Sequence, residues 1–252
     1  TRTDHLGLAI GTSSNSKSNQ SVAIGYASSA EAPGANPENP ATAVGAGANA
    51  NGAGTVALGL SANATGTNAV ALGGGSNGGT NKTEATAANA TAIGFNAKAS
   101  KSGAAAIGSG AKASGSDSIS FGTDTVADSE KAIGAGSKAT NIGATALGRS
   151  SAATAASATA VGSLASATGT TATAVGIEAS ASGAESLAIG KTASATSGRA
   201  LAVGTNAKAT GASSVAVGSG AGNSGPLGFA SSINSLGSVV NSLKTINYAT
   251  TA

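Results

Sequence analysis

The chain has 252 residues, 39 of them glycine, with 2% aromatic and 9% charged residues and no Trp, Met or Cys. Its 40% hydrophobic content is mostly alanine, which excludes an ordinary globular core of Leu, Ile, Phe and Val, a disulfide framework and a Cys-ligated metal site. The net charge of +3 comes without a dense Lys/Arg run, so nucleic acid is not an expected partner; the low charge does not fit simple disorder, and no apolar run approaches the roughly 20 residues of a membrane helix.

Order must then come from regular packing of small side chains, and periodicity supplies it. A four-residue block ending in glycine begins at Leu8–Gly11 (LAIG) and recurs as VAIG at Val22, TAVG at Thr42 and VALG at Val56, continuing to VAVG at Val215. The closing glycines, Gly11 to Gly218, give 15 copies; eleven of the 14 intervals are 14 residues long, and the others are 20, 21 and 12. Three residues after each block comes a second alternating segment, A-x-A, as in Ala97-Lys98-Ala99 and Ala207-Lys208-Ala209. Alternation with period two predicts strands. The closing glycines, and a second set at Gly52, Gly66, Gly115, Gly169, Gly183 and Gly211, are expected at turns with positive φ. Two strands and two turns make one coil, and stacked parallel coils would form a solenoid roughly 70 Å long.

The first strand is restricted on both sides. The residue before the closing glycine is large and apolar in all copies, and the one before that is Ala in 14 and Ser120 in one. One side is expected inside the coil and the other against a second chain in a closed assembly. This assigns trimer or core packing to Ala23, Ile24, Ala57, Leu58, Ala106, Ile107, Ala174, Val175, Ala216 and Val217. A gap of about 10 Å between sheets favours the large residue inside and Ala toward the partner. The second strand has small flanks and a variable centre, so its central residue is expected at the wet outer surface.

Along the chain, an insertion near 26–40 carries three of the four prolines, and another near 74–89 is glycine-rich; both are expected as loops. Candidate ligand-binding residues are Glu31, Asn36 and Glu38 in the first, Asn77, Asn81 and Lys82 in the second, and Lys98, Lys112, Lys138 and Lys208, which follow their closing glycines by four residues and would share one outer face able to attract polyanions. The 12-residue interval gathers Asp124, Asp128 and Glu130 near Asp117, without the spacing of a known Ca²⁺ loop. Past Gly218 the pattern stops. In 231–252, Ile233, Leu236, Val240 and Leu243 have the spacing of a short coiled-coil seam, and a capping segment is the alternative. The expected domains are therefore a repeat region, 1–222, and a neck or cap, 223–252. Starting at Thr1 without a signal-peptide pattern, the chain is expected to be a mature segment or a fragment.

Motifs for catalysis find no support. Gly74-Gly75-Ser76-Asn77-Gly78 matches a hydrolase elbow, but the one histidine is His5. Gly190-Lys191-Thr192 lacks the first glycine of a P-loop, that position being Glu185. No catalytic residue, metal or cofactor is expected. A crystal-surface binder would need stacked Thr-x-Thr, and Thr171 and Thr173 form a single pair with no ladder.

The xAhG…AxAxG pattern at a 14-residue period, over Leu8 to Gly222, resembles the heads of trimeric autotransporter adhesins, the family of the Yersinia adhesin. The resemblance implies an all-β fold, a left-handed parallel β-roll or solenoid of 14-residue coils, homotrimeric, with a short C-terminal helical or capping segment. It also implies display on the Gram-negative outer membrane through a C-terminal anchor absent from this chain. The expected function is non-catalytic attachment to host cells, extracellular matrix or sister cells; the alternative is a structural spacer within a longer surface fibre.

Overall fold

The structure, a computed structural model, describes residues 6–32, 40–76, 81–128 and 131–225, and the backbone of 229–231. It divides into two compact units, Thr1–Gly136 and Ser137–Ala252. Among the described residues both units are all-β, and both are built from the coil that the periodicity predicts. A three-residue strand such as Thr91–Ile93 is followed by a two-residue strand such as Lys98–Ala99, and like strands of successive coils pair in parallel. In the first unit the three-residue strands run from Leu8–Ile10 to Lys131–Ile133, and in the second from Thr145–Leu147 to Phe229–Ser231. The register is one coil per step, with Ala92 on Ala106 and Ile93 on Ile107, and Ala174 on Ala188 and Val175 on Ile189.

Each coil turns twice by a four-residue reverse turn. At the first corner the Ala97 amide donates to the Gly94 carbonyl at 3.2 Å, and at the second the Ala104 amide donates to Lys101 at 3.1 Å. The third turn residue has positive φ at both corners, 56° at Asn96 and 68° at Gly103, as a type II turn requires. The closing glycine has a further requirement. Gly108 has φ 132°, and a Cβ there would lie 2.4 Å from the carbonyl oxygen of Gly122 in the next coil. The second glycine set differs from expectation. Gly169, Gly183 and Gly211 open the second turn without positive φ; what restricts them is close stacking, a Cβ on Gly183 falling 1.9 Å from the Ser197 carbonyl oxygen. Positive φ at that corner belongs to the residue two positions on, including Thr171, Glu185 and Arg199.

The interior reverses the expected orientation of the first strand. Ala23, Ala57, Ala106, Ala174 and Ala216 are fully buried within their own coils, whereas Ile24, Leu58, Ile107, Val175 and Val217 face outward. A typical coil contributes four small inward groups, such as Ala90, Ala92, Ala97 and Ala99. Among the described residues nothing larger than threonine is fully buried. The physical reason is the turn: it brings its ends within about 7 Å, so the two sheets lie closer than the usual 10 Å or so and no Leu or Ile fits between them. Where Ser or Thr replaces Ala, its hydroxyl bonds to the adjoining corner in some coils, whereas the buried hydroxyls of Ser137, Ser186 and Ser214 have no protein partner. Thr55 donates to Gly52 O at 2.7 Å and Ser118 to Gly115 O at 2.7 Å, while buried Ser120, the exception in the alanine row, pairs with Thr125 at 2.6 Å.

The ladder also extends past the last glycine-closed block. Phe229–Ser231 pairs in register with Val215–Val217, Ala230 matching Ala216. This strand lacks both a large third residue and a closing glycine, so it falls outside the repeat signature. The segment 232–252, for which a helix or a cap is expected, lies outside the described residues.

Candidate functional site

Two surfaces follow from the coil. The first is the outer side of the three-residue strands. Because the central alanine points inward, the residues on either side of it point outward together, and stacking lines them into rows. In the first unit Leu58 stacks on Leu72, Ile93 on Ile107 and Ile107 on Phe121; in the second Val161, Val175, Ile189, Val203 and Val217 follow one another. Leu58 is 37% exposed, Phe121 51% and Leu147 43%. Burying such a side chain contributes about 1.5–3 kcal/mol, against about 0.8 kcal/mol for a single CH₂ group. The strongest apolar contributors of the coil are therefore left uncovered by a single chain, and an aligned apolar strip of this kind marks an interface. The companion row holds Val22, Val56 and Val70 in the first unit, with Lys131 as its charged member, and Leu187, Leu201 and Val215 in the second.

The second surface is the outer side of the two-residue strands, which matches the expectation of a wet face. Ala97 and Ala99 are buried and Lys98 points out between them. Lys98 and Lys112 are neighbours in register, and Glu84 precedes Lys98 in the same column. Glu84 holds Lys98 at 3.2 Å and Lys82 at 3.4 Å. The four lysines are thus not one continuous stripe. Lys138 and Lys208 lie in the second unit with Ala152, Ser166, Ser180 and Ser194 between them.

The loop residues separate similarly. Glu31 is not in a loop: it ends the strand Ser29–Glu31, binds Lys17 at 2.5 Å and accepts from the Asn15 side chain at 2.9 Å. The second insertion ends sooner than 74–89, since Glu84–Ala85 is a strand in register with Lys98–Ala99; Thr83, just before it, is fully buried and donates to the Gly94 carbonyl at 2.6 Å. Asn81 closes the base of that insertion, its carbonyl accepting from the Ser76 amide at 2.9 Å. Asn36, Glu38 and Asn77 lie outside the described residues. The insertions leave from different corners, the first after the strand Ser29–Glu31 of the second sheet and the second after the closing Gly73. In the acidic interval, Asp117 and Asp124 occupy positive-φ turn positions, Asp128 accepts a short bond from the Ser114 hydroxyl, and Glu130 lies outside the described residues.

A family description, YadA head domain repeat (2 copies), matches residues 6–35, 40–62, 50–76, 85–111, 99–125, 132–151, 139–165, 167–193 and 195–221. The chain belongs to the YadA head family. Three of the breaks between matched stretches, at 36–39, 77–84 and 126–131, coincide with the two insertions and the short coil, so each irregularity is a local departure of this YadA-type head from its own repeat. The family gives the coarse function, an adhesin-type role at a bacterial surface. No curated protein matches the chain. Sequence reasoning placed the outward lysines of the head correctly but missed the direction of its apolar row, because period two says that neighbours oppose each other without saying which one faces in.

Proposed function

We propose that the chain is the head of a homotrimeric, non-catalytic adhesin that attaches the bacterium to host cells, extracellular matrix or sister cells. The observation that carries this reading is the uncovered apolar row, Leu58 and Leu72, then Ile93, Ile107 and Phe121, on a chain whose own interior contains only small side chains. Three copies packed row to row about an axis would bury it and close the assembly. The two-residue strands would then face outward, presenting Lys98, Lys112, Lys138 and Lys208, with the insertions around Asn36, Glu38, Asn77, Asn81 and Lys82, as three equivalent sets. Display at the outer membrane accords with such a head. Light scattering of the purified chain tests the assembly: a trimer is expected for the parent, and subunits that no longer assemble for Ile107→Asp. A stable, folded monomer of the parent at micromolar concentration would overturn the reading. Attachment of beads coated with the trimer to cells and to matrix proteins tests adhesion.

A second reading, a spacer within a longer fibre, draws support from the second unit, where the outward column between Lys138 and Lys208 is only Ala and Ser. It predicts a trimer that attaches to nothing.

A further inference from the structure

A shallow groove on the outer face of the first unit is lined by Glu84, Thr86, Lys98, Ser100, Lys112 and Ser114, with Ala99 at its floor. We propose that this groove binds an acidic saccharide, a sugar chain bearing sulfate or carboxylate groups; the proposal rests on the adhesive reading and names its ligand class. Charge comes first. Lys98 and Lys112 are register partners on adjacent parallel strands, so their backbones are only about 4.8 Å apart, and like charges side by side are unfavourable. Lys98 is compensated by Glu84 at 3.2 Å, but Glu84 also serves Lys82 at 3.4 Å. Lys112 is exposed and has no carboxylate within ion-pairing distance among the described residues. Lys101 adds a further ammonium at the turn after Ser100, where the Asp117 carboxylate of the next coil lies against Gly103, and Asp128 is engaged by the Ser114 hydroxyl. Two or more lysines facing one shared carboxylate leave a site that an anion completes.

Shape and chemistry favour sugar over protein. Thr86, Ser100 and Ser114 stack coil on coil, Thr86 N donating to Ala99 O at 3.0 Å and Ser100 N to Ala113 O at 3.1 Å. They form a hydroxyl row beside the lysine row, and both repeat at the coil step. A sugar chain with repeated acid groups can follow two such rows, its hydroxyls bonding to the Ser and Thr groups and its C–H faces resting on the lysine stems. The groove has no aromatic lining and no deep apolar pocket of the kind that anchors a protein partner. The equivalent column in the second unit separates its two lysines by Ala152, Ser166, Ser180 and Ser194, so it offers no adjacent pair of charges.

The test is binding of the intact trimer to a heparin octasaccharide and a hyaluronan octasaccharide by calorimetry in 0.15 M salt. At least one is expected to bind, more weakly at 0.5 M salt. Lys98→Gln/Lys112→Gln should lower its affinity about tenfold, Lys98→Arg/Lys112→Arg should retain it, and Lys191→Gln, at a first-corner turn, should leave it unchanged. The proposal is overturned if neither glycan binds the parent, or if Lys191→Gln weakens binding as much as the double substitution. Bead attachment is measured in parallel. Attachment to cells or matrix without glycan binding removes the saccharide and leaves adhesion standing. Glycan binding without attachment to any surface supports the groove and removes adhesion.

Discussion

At Gly108 two independent demands meet in one residue. Its φ of 132° is open to glycine and costly for any L side chain, and the Gly122 carbonyl oxygen occupies the space where a Cβ would go. Gly108→Ala should therefore cost about 2 kcal/mol or more and lower the thermal midpoint measured by circular dichroism. A midpoint within a degree of the parent would refute the stacking argument. The positive-φ turn positions behave in the opposite way, because the chain does not always fill them with glycine. Thr171, at φ 56°, is β-branched in a region that such residues avoid. Thr171→Asn keeps the turn and relieves that strain, so a gain of about 0.5–1 kcal/mol is expected in denaturant titration.

The strand has two sides with unequal tolerance. Ala106 faces a space fixed by two four-residue turns, and its coil neighbours Ala104, Ala111 and Ala113 are fully buried. Ala106→Leu must push the sheets apart, and a cost of about 3 kcal/mol or more is expected, read as loss of the strand signal on mild heating. Ile107, one residue later, opens outward and is only half-buried in a single chain. Ile107→Asp should spare the coil and act on assembly alone. A circular dichroism spectrum as disrupted by Ile107→Asp as by Ala106→Leu would reverse the assignment of the two faces. The corners tolerate length change, since the long intervals add residues at two different corners while the strands on either side keep register, Val22 pairing with Thr42 and Val70 with Thr91.

For the proposed trimer, adhesion through three identical faces is a question of avidity. Individually weak contacts gain from the high effective concentration of their neighbours, by about 10²–10⁴. A variant that remains folded but monomeric, such as Ile107→Asp, should thus lose attachment by at least about a hundredfold, although its Lys98 and Lys112 are untouched. Surface plasmon resonance on sparse and dense ligand surfaces checks this: the parent's advantage should grow with ligand density. Equal binding by monomer and trimer on the dense surface would show that single sites suffice.

The amino-acid order by itself determined the coil. The recurrence of xAhG and AxA at 14 residues defines two strands, two corners and a parallel stack, since only one step of the repeat brings like residues together, as Ala92 on Ala106. It also placed Lys98 and Lys112 on the wet side, because a charged centre between small flanks has one plausible direction. Two matters were decided only by tertiary structure. One is which side of the first strand is interior: Ala and Ile alternate equally well either way, and the width left between the sheets by the turns admits the methyl group and excludes the larger one. The other is partnership along the stack, where Glu84 neutralises Lys98 and leaves Lys112 open. The sequence assigned Glu84 to the insertion near 74–89, and only the structure shows Glu84–Ala85 as a strand in register with Lys98–Ala99.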